Sequence, residues 1–160
     1  MNTSPQVSNS GSAETTPSSV ETILLRGREL APAPQIRSLR VLCIDDDEQF
    51  LELMNDCLTH FKHEVRVASG GKYGFELFCT AMMKSQPYDV VIVDLCMPDL
   101  DGYEVARMIK AESHHTPVIL MTGERQSRQA DGEAASAVDA VVGKPPHIQE
   151  LNALLLRAAG

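Results

Sequence analysis

The sequence contains no tryptophan, and aromatic residues make up only 4% of its 160 positions. Basic residues are also few, with 14 Lys and Arg against 22 Asp and Glu and a formal net charge of −8. A surface that binds nucleic acid would be basic. We therefore expect no direct contact between this chain and nucleic acid.

Long apolar runs are absent as well, and no stretch approaches the roughly 18 apolar residues that a membrane-spanning helix needs. The N-terminus lacks the basic and apolar regions of a secretion signal. The 4 cysteines show no CxxC spacing and lie in or beside apolar runs, which is typical of reduced thiols rather than disulfides or zinc ligands. These absences predict a cytoplasmic protein without a membrane span.

The first 37 residues differ in composition from the rest of the chain, because Ser, Thr, Pro, Gly and Asn dominate up to Ser19. Such a stretch buries too little apolar surface to offset the entropy lost on ordering it. We predict a disordered leader or interdomain linker over residues 1–37 and one folded domain over residues 38–160.

In that domain, short apolar runs alternate with segments of helical spacing. The runs predict strands at 41–44, 64–68, 90–94, 118–122 and 138–143. The strand at 64–68 alternates in polarity, so we expect it to be edge-like. Helical patterns follow at about 48–61, from Gly71 onward, at 102–112 and at 147–158. We expect an aspartate to cap the first of these helices, and its spacing predicts an inward face made of Phe50, Met54, Cys57, Leu58 and Phe61. The polar segment over residues 123–137 has no apolar stripe, so we expect it to be short, irregular or mobile. This alternation predicts an α/β fold with a doubly wound, five-stranded parallel sheet.

Chemically active side chains follow four of these strands. Because the carboxyl ends of parallel strands meet at one edge of a sheet, we expect the following residues to converge: Asp45, Asp46, Asp94, Thr122 and Lys144. Each has a plainer interpretation alone, since aspartates before a helix often cap it and strand-end residues often form turns. Their joint occurrence at four strand ends favours a functional site.

Three neighbouring carboxylates need positive charge between them, since two like charges at about 4 Å repel by about 4 kcal/mol at an effective dielectric near 20. Lys144 supplies one charge, and an all-oxygen site suits Mg²⁺ or Mn²⁺. A carboxylate nucleophile, a metal, a lysine and a hydroxyl together meet the needs of phosphoryl transfer.

At this point the sequence resembles the receiver domain of two-component response regulators, over about residues 38–158. The resemblance rests on four motifs in order: VLCIDDDEQF, VVIVDLCMPDLDGYE, PVILMTG and AVVGKPP. It implies a flavodoxin-like sheet of order 2-1-3-4-5. It also implies that Asp94 accepts a phosphoryl group from the phosphohistidine of a histidine kinase or histidine phosphotransfer protein, and so switches a surface that an unknown output partner recognises.

The resemblance also assigns roles around Asp94. Mg²⁺ would be held by Asp46, Asp94 and the backbone carbonyl of Cys96, with Asp45 acting mainly through a water. Thr122 and Lys144 would contact the phosphoryl group, and the Lys144–Pro145 bond would be cis. The protein would then be no enzyme beyond its own Mg²⁺-dependent phosphorylation and dephosphorylation.

Two features depart from the usual receiver pattern. Many receivers carry Tyr or Phe three residues before the lysine, where this chain has Val141, so we expect switching to depend on Thr122 and the segment after it. That segment lacks the usual amphipathic helix and looks similar to receivers at the ends of hybrid sensor kinases. Glu124 lies where it could tune the lifetime of the phosphoryl group.

Three other functions stay open. The chain could be the C-terminal receiver fragment of a hybrid histidine kinase, with the leader as a linker. It could be an aspartate-nucleophile phosphatase, although that chemistry needs an acid where Cys96 stands. It could also be a binding module that keeps the fold without phosphorylation.

Overall fold

The structure is a computed structural model that describes residues 37–123 and 136–160. Most of the predicted leader, residues 1–36, lies outside these ranges. Residues 124–135 of the polar segment, including Glu124, lie outside them too. The interpretations given for these two segments therefore stay predictions.

Within the described ranges the chain forms five strands and four helices. The strands are β1 (Arg40–Asp45), β2 (Glu64–Ser69), β3 (Val90–Asp94), β4 (Val118–Thr122) and β5 (Ala140–Gly143). The helices are α1 (Glu48–His60), α2 (Gly71–Met83), α3 (Gly102–Glu112) and α4 (Ile148–Ala158). Every predicted strand is therefore present, and the predicted helices agree to within a few residues.

The five strands form one sheet of order β2-β1-β3-β4-β5, and every neighbouring pair is parallel. This confirms the predicted doubly wound sheet and its 2-1-3-4-5 order. The register pairs Asp94 with Met121 and Thr122 with Gly143. The carboxyl ends of β1, β3, β4 and β5 therefore lie at one edge, as the sequence predicted.

A core cluster covers each face of the sheet, because alternate side chains of a strand point to opposite faces. One cluster packs residues of β1 and β3 with α2 and α3, including Leu42, Phe78 and Ile109. The other packs the opposite faces of the same strands with α1 and α4, including Met54 and Leu155. All five residues of β3 are buried, which explains its unbroken apolar run.

Helix α1 begins as predicted with an aspartate cap, since the Asp47 side chain accepts hydrogen bonds from the amides of Gln49 and Phe50. The predicted inward face was partly wrong. The sequence assigned Phe50, Met54, Cys57, Leu58 and Phe61 to the core, whereas the structure buries Leu51, Met54 and Leu58. The stripe that contacts the sheet is centred on Leu51, so Phe50, Cys57 and Phe61 lie on its flank and stay partly exposed.

The predictions for the two edge strands, β2 and β5, agree with the structure to different degrees. Strand β2 was predicted to be edge-like, and it is. Strand β5 was predicted over residues 138–143, but it is shorter and alternates in exposure. Ala140 and Val142 pack against the second core cluster, whereas Val141 on the opposite face is 59% exposed.

All four cysteines lie in the described ranges and none forms a disulfide, as predicted. Of the helices in residues 37–123 and 136–160, none combines the length and apolarity that a bilayer crossing requires.

Candidate functional site

Three aspartates meet at the carboxyl edge of the sheet. Asp45 and Asp94 are the last residues of β1 and β3, and Asp46 follows β1 directly. One carboxylate oxygen from each lies within 4.8 Å of the others. Asp45 and Asp94 are buried, while Asp46 is exposed. The predicted convergence of the three acids is confirmed.

Lys144 lies among these acids, one residue after β5. Its Nζ is 2.5 Å from Oδ2 of Asp45 and 2.6 Å from Oδ1 of Asp94. Its backbone amide donates to the carbonyl oxygen of Thr122 at 2.7 Å, which extends the pairing of β4 with β5. The peptide bond between Lys144 and Pro145 is cis, as the resemblance implied.

Backbone amides orient the two buried carboxylates. The amide of Asp47 donates to Oδ1 of Asp45 at 3.0 Å, and the amide of Cys96 donates to Oδ2 of Asp94 at 2.9 Å. Each carboxylate therefore has one oxygen on a backbone amide and the other on Lys144. The predicted role of the Cys96 carbonyl as a metal ligand stays a prediction.

Charge in this pocket is unbalanced. Burial raises the pKa of Asp45 despite its contact with Lys144. Burial alone would lower the pKa of Lys144, but its hydrogen bonds to Asp45 and Asp94 outweigh this effect and raise it. Lys144 is therefore an ammonium at neutral pH. Three carboxylates and one ammonium leave two formal negative charges, and such a cluster of oxygen donors fits a divalent cation such as Mg²⁺.

Thr122 ends β4 at the same edge. It is partly exposed, and it directly follows Met121, the register partner of Asp94. All five side chains predicted from the strand ends are thus placed at this edge by the sheet, three of them in direct contact.

Two contacts of this region were missed from the sequence. The Nζ of Lys144 lies 4.5 Å from the ring centroid of Phe50, a residue that its helical spacing assigned to the core. The Asp99 carboxylate, in the loop after β3, accepts hydrogen bonds from the first two amides of α2. Neither contact has a local sequence signal. Phe50 and Lys144 are 94 positions apart, and Asp99 is 28 and 27 positions from Gly71 and Lys72.

Gly102 brings α3 against the backbone of the site. Its amide donates to the carbonyl oxygen of Leu95 at 2.9 Å. A Cβ at this position would lie 2.4 Å from the carbonyl oxygen of Asp94 and 2.6 Å from Cδ1 of Leu120. The first residue of α3 therefore has no room for a side chain.

The sequence that forms this sheet matches a known family. The model of the response regulator receiver domain matches residues 41–156. The chain belongs to this family. The match spans all five strands of the receiver domain and ends within α4.

Individual relatives agree with this assignment. The response regulator ArlR of Staphylococcus epidermidis is 28% identical over 111 residues, which are 69% of this chain and 48% of that protein. The chain spans about half the length, or less, of the curated relatives that it matches.

Solved structures give the same picture. A response regulator receiver domain protein from Clostridium thermocellum has a TM-score of 0.68 and 29% identity, covering 76% of this chain and 94% of that one. The response regulator TrrA from Thermotoga maritima, solved in complex with Mg²⁺ and BeF, has a TM-score of 0.62 and 28% identity, covering 75% and 98%.

Proposed function

We propose that this receiver domain is a phosphoacceptor in a two-component phosphorelay and that Asp94 is the residue phosphorylated. The observation that carries the proposal is the position of Asp94, a carboxylate at the end of the central strand, 2.6 Å from the Lys144 ammonium and beside two further acids. The membership of the chain in the receiver family supports it.

The reaction transfers a phosphoryl group between two nucleophiles. An oxygen of the Asp94 carboxylate attacks the phosphorus of a phosphohistidine, and an O–P bond forms as the P–N bond breaks. The electron pair of that bond stays on the imidazole nitrogen, and the product on Asp94 is an acyl phosphate. Lys144 contributes a fixed positive charge beside the attacking carboxylate, where negative charge gathers during transfer.

Asp45, Asp46 and Asp94 are the residues that would hold Mg²⁺, with Asp45 acting mainly through a water and the Cys96 carbonyl as a further ligand. A metal bound there would neutralise charge on the phosphoryl oxygens. Two observations support this metal site. One carboxylate oxygen of each aspartate lies within 4.8 Å of the others, and Lys144 balances only one of the three formal negative charges.

The partner that supplies the phosphoryl group is a histidine kinase or a histidine phosphotransfer protein, and the setting is cytoplasmic. Thr122 contacts the new phosphoryl oxygens, and this contact biases the surface that an output partner recognises. Val141 is exposed in place of an aromatic residue, so the switch runs through Thr122 rather than through an inward-turning ring. The protein turns over no external substrate.

Replacing the acceptor tests the proposal directly. We expect Asp94→Asn to abolish labelling by a small donor such as acetyl phosphate in the presence of Mg²⁺, because an amide is a poor nucleophile. Labelling is followed by intact-protein mass spectrometry as the gain of one phosphoryl group.

Asp56→Asn is the matched control, since Asp56 is an exposed acid on α1 and the chemical change is the same. This control is expected to label as the wild type does. Labelling of Asp94→Asn at an unchanged rate and position would disprove the assignment of the acceptor.

A further inference from the structure

The ammonium of Lys144 has neighbours in three directions. Two are the carboxylates of Asp45 and Asp94, at 2.5 and 2.6 Å. The third is the ring of Phe50, whose centroid is 4.5 Å from Nζ. An ammonium has three N–H groups, and two carboxylates and one ring face lie within reach of them.

The backbone of Phe50 is tied to the same short segment that carries Asp45. The amide of Asp47 donates to Asp45, and the Asp47 carboxylate in turn accepts the amide of Phe50 at 3.1 Å. Phe50 is partly buried and packs against the core cluster between the sheet, α1 and α4. Hydrogen bonds through Asp47 therefore fix the backbone of Phe50 relative to Asp45, and core packing places its ring beside Lys144.

The contact with Lys144 gives the ring of Phe50 a role beyond core packing. A cation over an aromatic face within about 6 Å is attracted by the ring quadrupole, and more strongly where water is partly excluded. The Lys144 side chain is only 20% exposed. A ring on the third side keeps the ammonium from turning toward solvent while its other two sides face the acids.

We infer that Phe50 is a positioning residue for phosphoryl transfer: its ring fixes the Lys144 ammonium between Asp45 and Asp94. The inference rests on the proposed function, because it takes Lys144 to act during the transfer. Phe50 touches neither the phosphoryl group nor the metal ligands in this role. Its loss therefore affects the saturating rate of phosphorylation rather than the affinity for donor or metal.

Three substitutions separate this role from simple packing. Phe50→Leu keeps an apolar side chain of similar bulk but has no aromatic face, whereas Phe50→Tyr keeps the face. Phe61→Leu makes the same change at the other end of α1, where Phe61 is the partly buried C-cap residue.

The experiment measures phosphorylation by acetyl phosphate over a range of donor concentrations at saturating Mg²⁺, together with unfolding in urea. We expect Phe50→Leu to lower the saturating rate about three- to tenfold, in line with the strength of a partly desolvated cation–π contact. The donor concentration at half-maximal rate is expected to stay unchanged. Phe50→Tyr is expected to recover the rate to within about twofold of the wild type.

Two outcomes would overturn the inference. One is a Phe50→Leu rate equal to that of Phe61→Leu and the wild type. The other is a loss of rate in Phe50→Leu and Phe50→Tyr alike, tracking a loss of stability. The proposed function fails separately, if the wild type takes up no phosphoryl group or if Asp94→Asn is still labelled.

Discussion

Asp99 shows how one side chain can serve two elements. It lies in the loop that follows β3, and its carboxylate accepts the amides of Gly71 at 3.2 Å and Lys72 at 2.9 Å. The N-cap residue of α2 is Gly70, which makes no side-chain cap. Asp99 therefore caps α2 from a distant loop and ties the loop after Asp94 to that helix.

Removing this cap should cost stability. We expect Asp99→Ala to lower the free energy of unfolding by about 1 kcal/mol, the usual loss for a helix N-cap, measured by urea denaturation at neutral pH. Asp99→Asn is the matched control, because its single amide oxygen can still accept one of the two N–H groups, which the carboxylate accepts on separate oxygens, so it should lose less stability than Asp99→Ala. Equal losses in the two variants would contradict a capping role.

The same carboxylate predicts a dependence of stability on pH. Hydrogen bonds from the backbone, above all from Lys72, hold the pKa of Asp99 below its ordinary value of 3.8. A carboxyl group with a lowered folded-state pKa contributes stability above its ordinary pKa and loses it as pH falls through the folded-state value. We expect Asp99→Asn to reduce the loss of stability between pH 5 and 3, in about the range of carboxyl titration. An unchanged slope of unfolding free energy in this range would contradict the prediction.

At the scale of elements, the start of α3 is fixed by close packing. The helix has a capping box, in which the Asp101 side chain accepts the Glu104 amide and the Glu104 side chain accepts the Asp101 amide. Directly after Asp101, Gly102 lies against the carbonyl of Asp94. The position of this helix and the backbone of the acidic site are therefore coupled.

We expect Gly102→Ala to destabilise the protein by about 1–3 kcal/mol, the usual cost of overpacking. The added Cβ would meet backbone at 2.4 Å, which a side-chain rotation cannot relieve. Urea denaturation measures the loss, and acetyl phosphate labelling measures the accompanying slower phosphorylation. Gly143→Ala is the control. Apart from its two chain neighbours, no residue that the structure describes comes within 4 Å of a Cβ added at Gly143. Equal stability of the two variants would contradict the prediction.

Sequence patterns predicted the sheet because its strands carry the strongest signal. The run from Val90 to Val93 is fully buried and ends in Asp94, so the strand and its acidic end follow from one stretch, whereas its place in the strand order follows from the resemblance. Parallel pairing then brings distant strand ends together by topology alone. This is why Lys144 could be placed beside Asp45, 99 positions earlier.

Contacts made by helix flanks could not be predicted in the same way. Phe50 lies beside the core stripe of α1, and a helical period gives the stripe only to within about one residue on each side. Whether such a residue packs inward or covers a neighbour depends on how the helix lies on the sheet. The cap by Asp99 likewise depends on the path of a loop that carries no periodic signal.

At the scale of the whole molecule, the site is a local cluster of negative charge in a chain that is acidic as a whole. The protein has a formal net charge of −8, and the three aspartates with Lys144 place two uncompensated charges at one edge of the sheet. Repulsion among these acids opposes folding, and a divalent cation bound there would offset it. Stability and the proposed metal binding would therefore be linked.

This linkage predicts opposite effects of one substitution in the absence and presence of Mg²⁺. Without the metal, Asp46→Asn should be as stable as the wild type or more stable, because it removes a charge from the cluster. With Mg²⁺ at about a hundred times its dissociation constant, the wild type should gain about 2.7 kcal/mol, and Asp46→Asn should gain much less because it has lost a metal ligand.

Unfolding in urea with Mg²⁺ or with NaCl at equal ionic strength measures both effects and separates binding from screening. Asp56→Asn, which changes an exposed acid on α1 ten positions after Asp46, should respond to Mg²⁺ as the wild type does. Equal stabilisation of Asp46→Asn and the wild type by Mg²⁺ would show that the metal does not bind through Asp46.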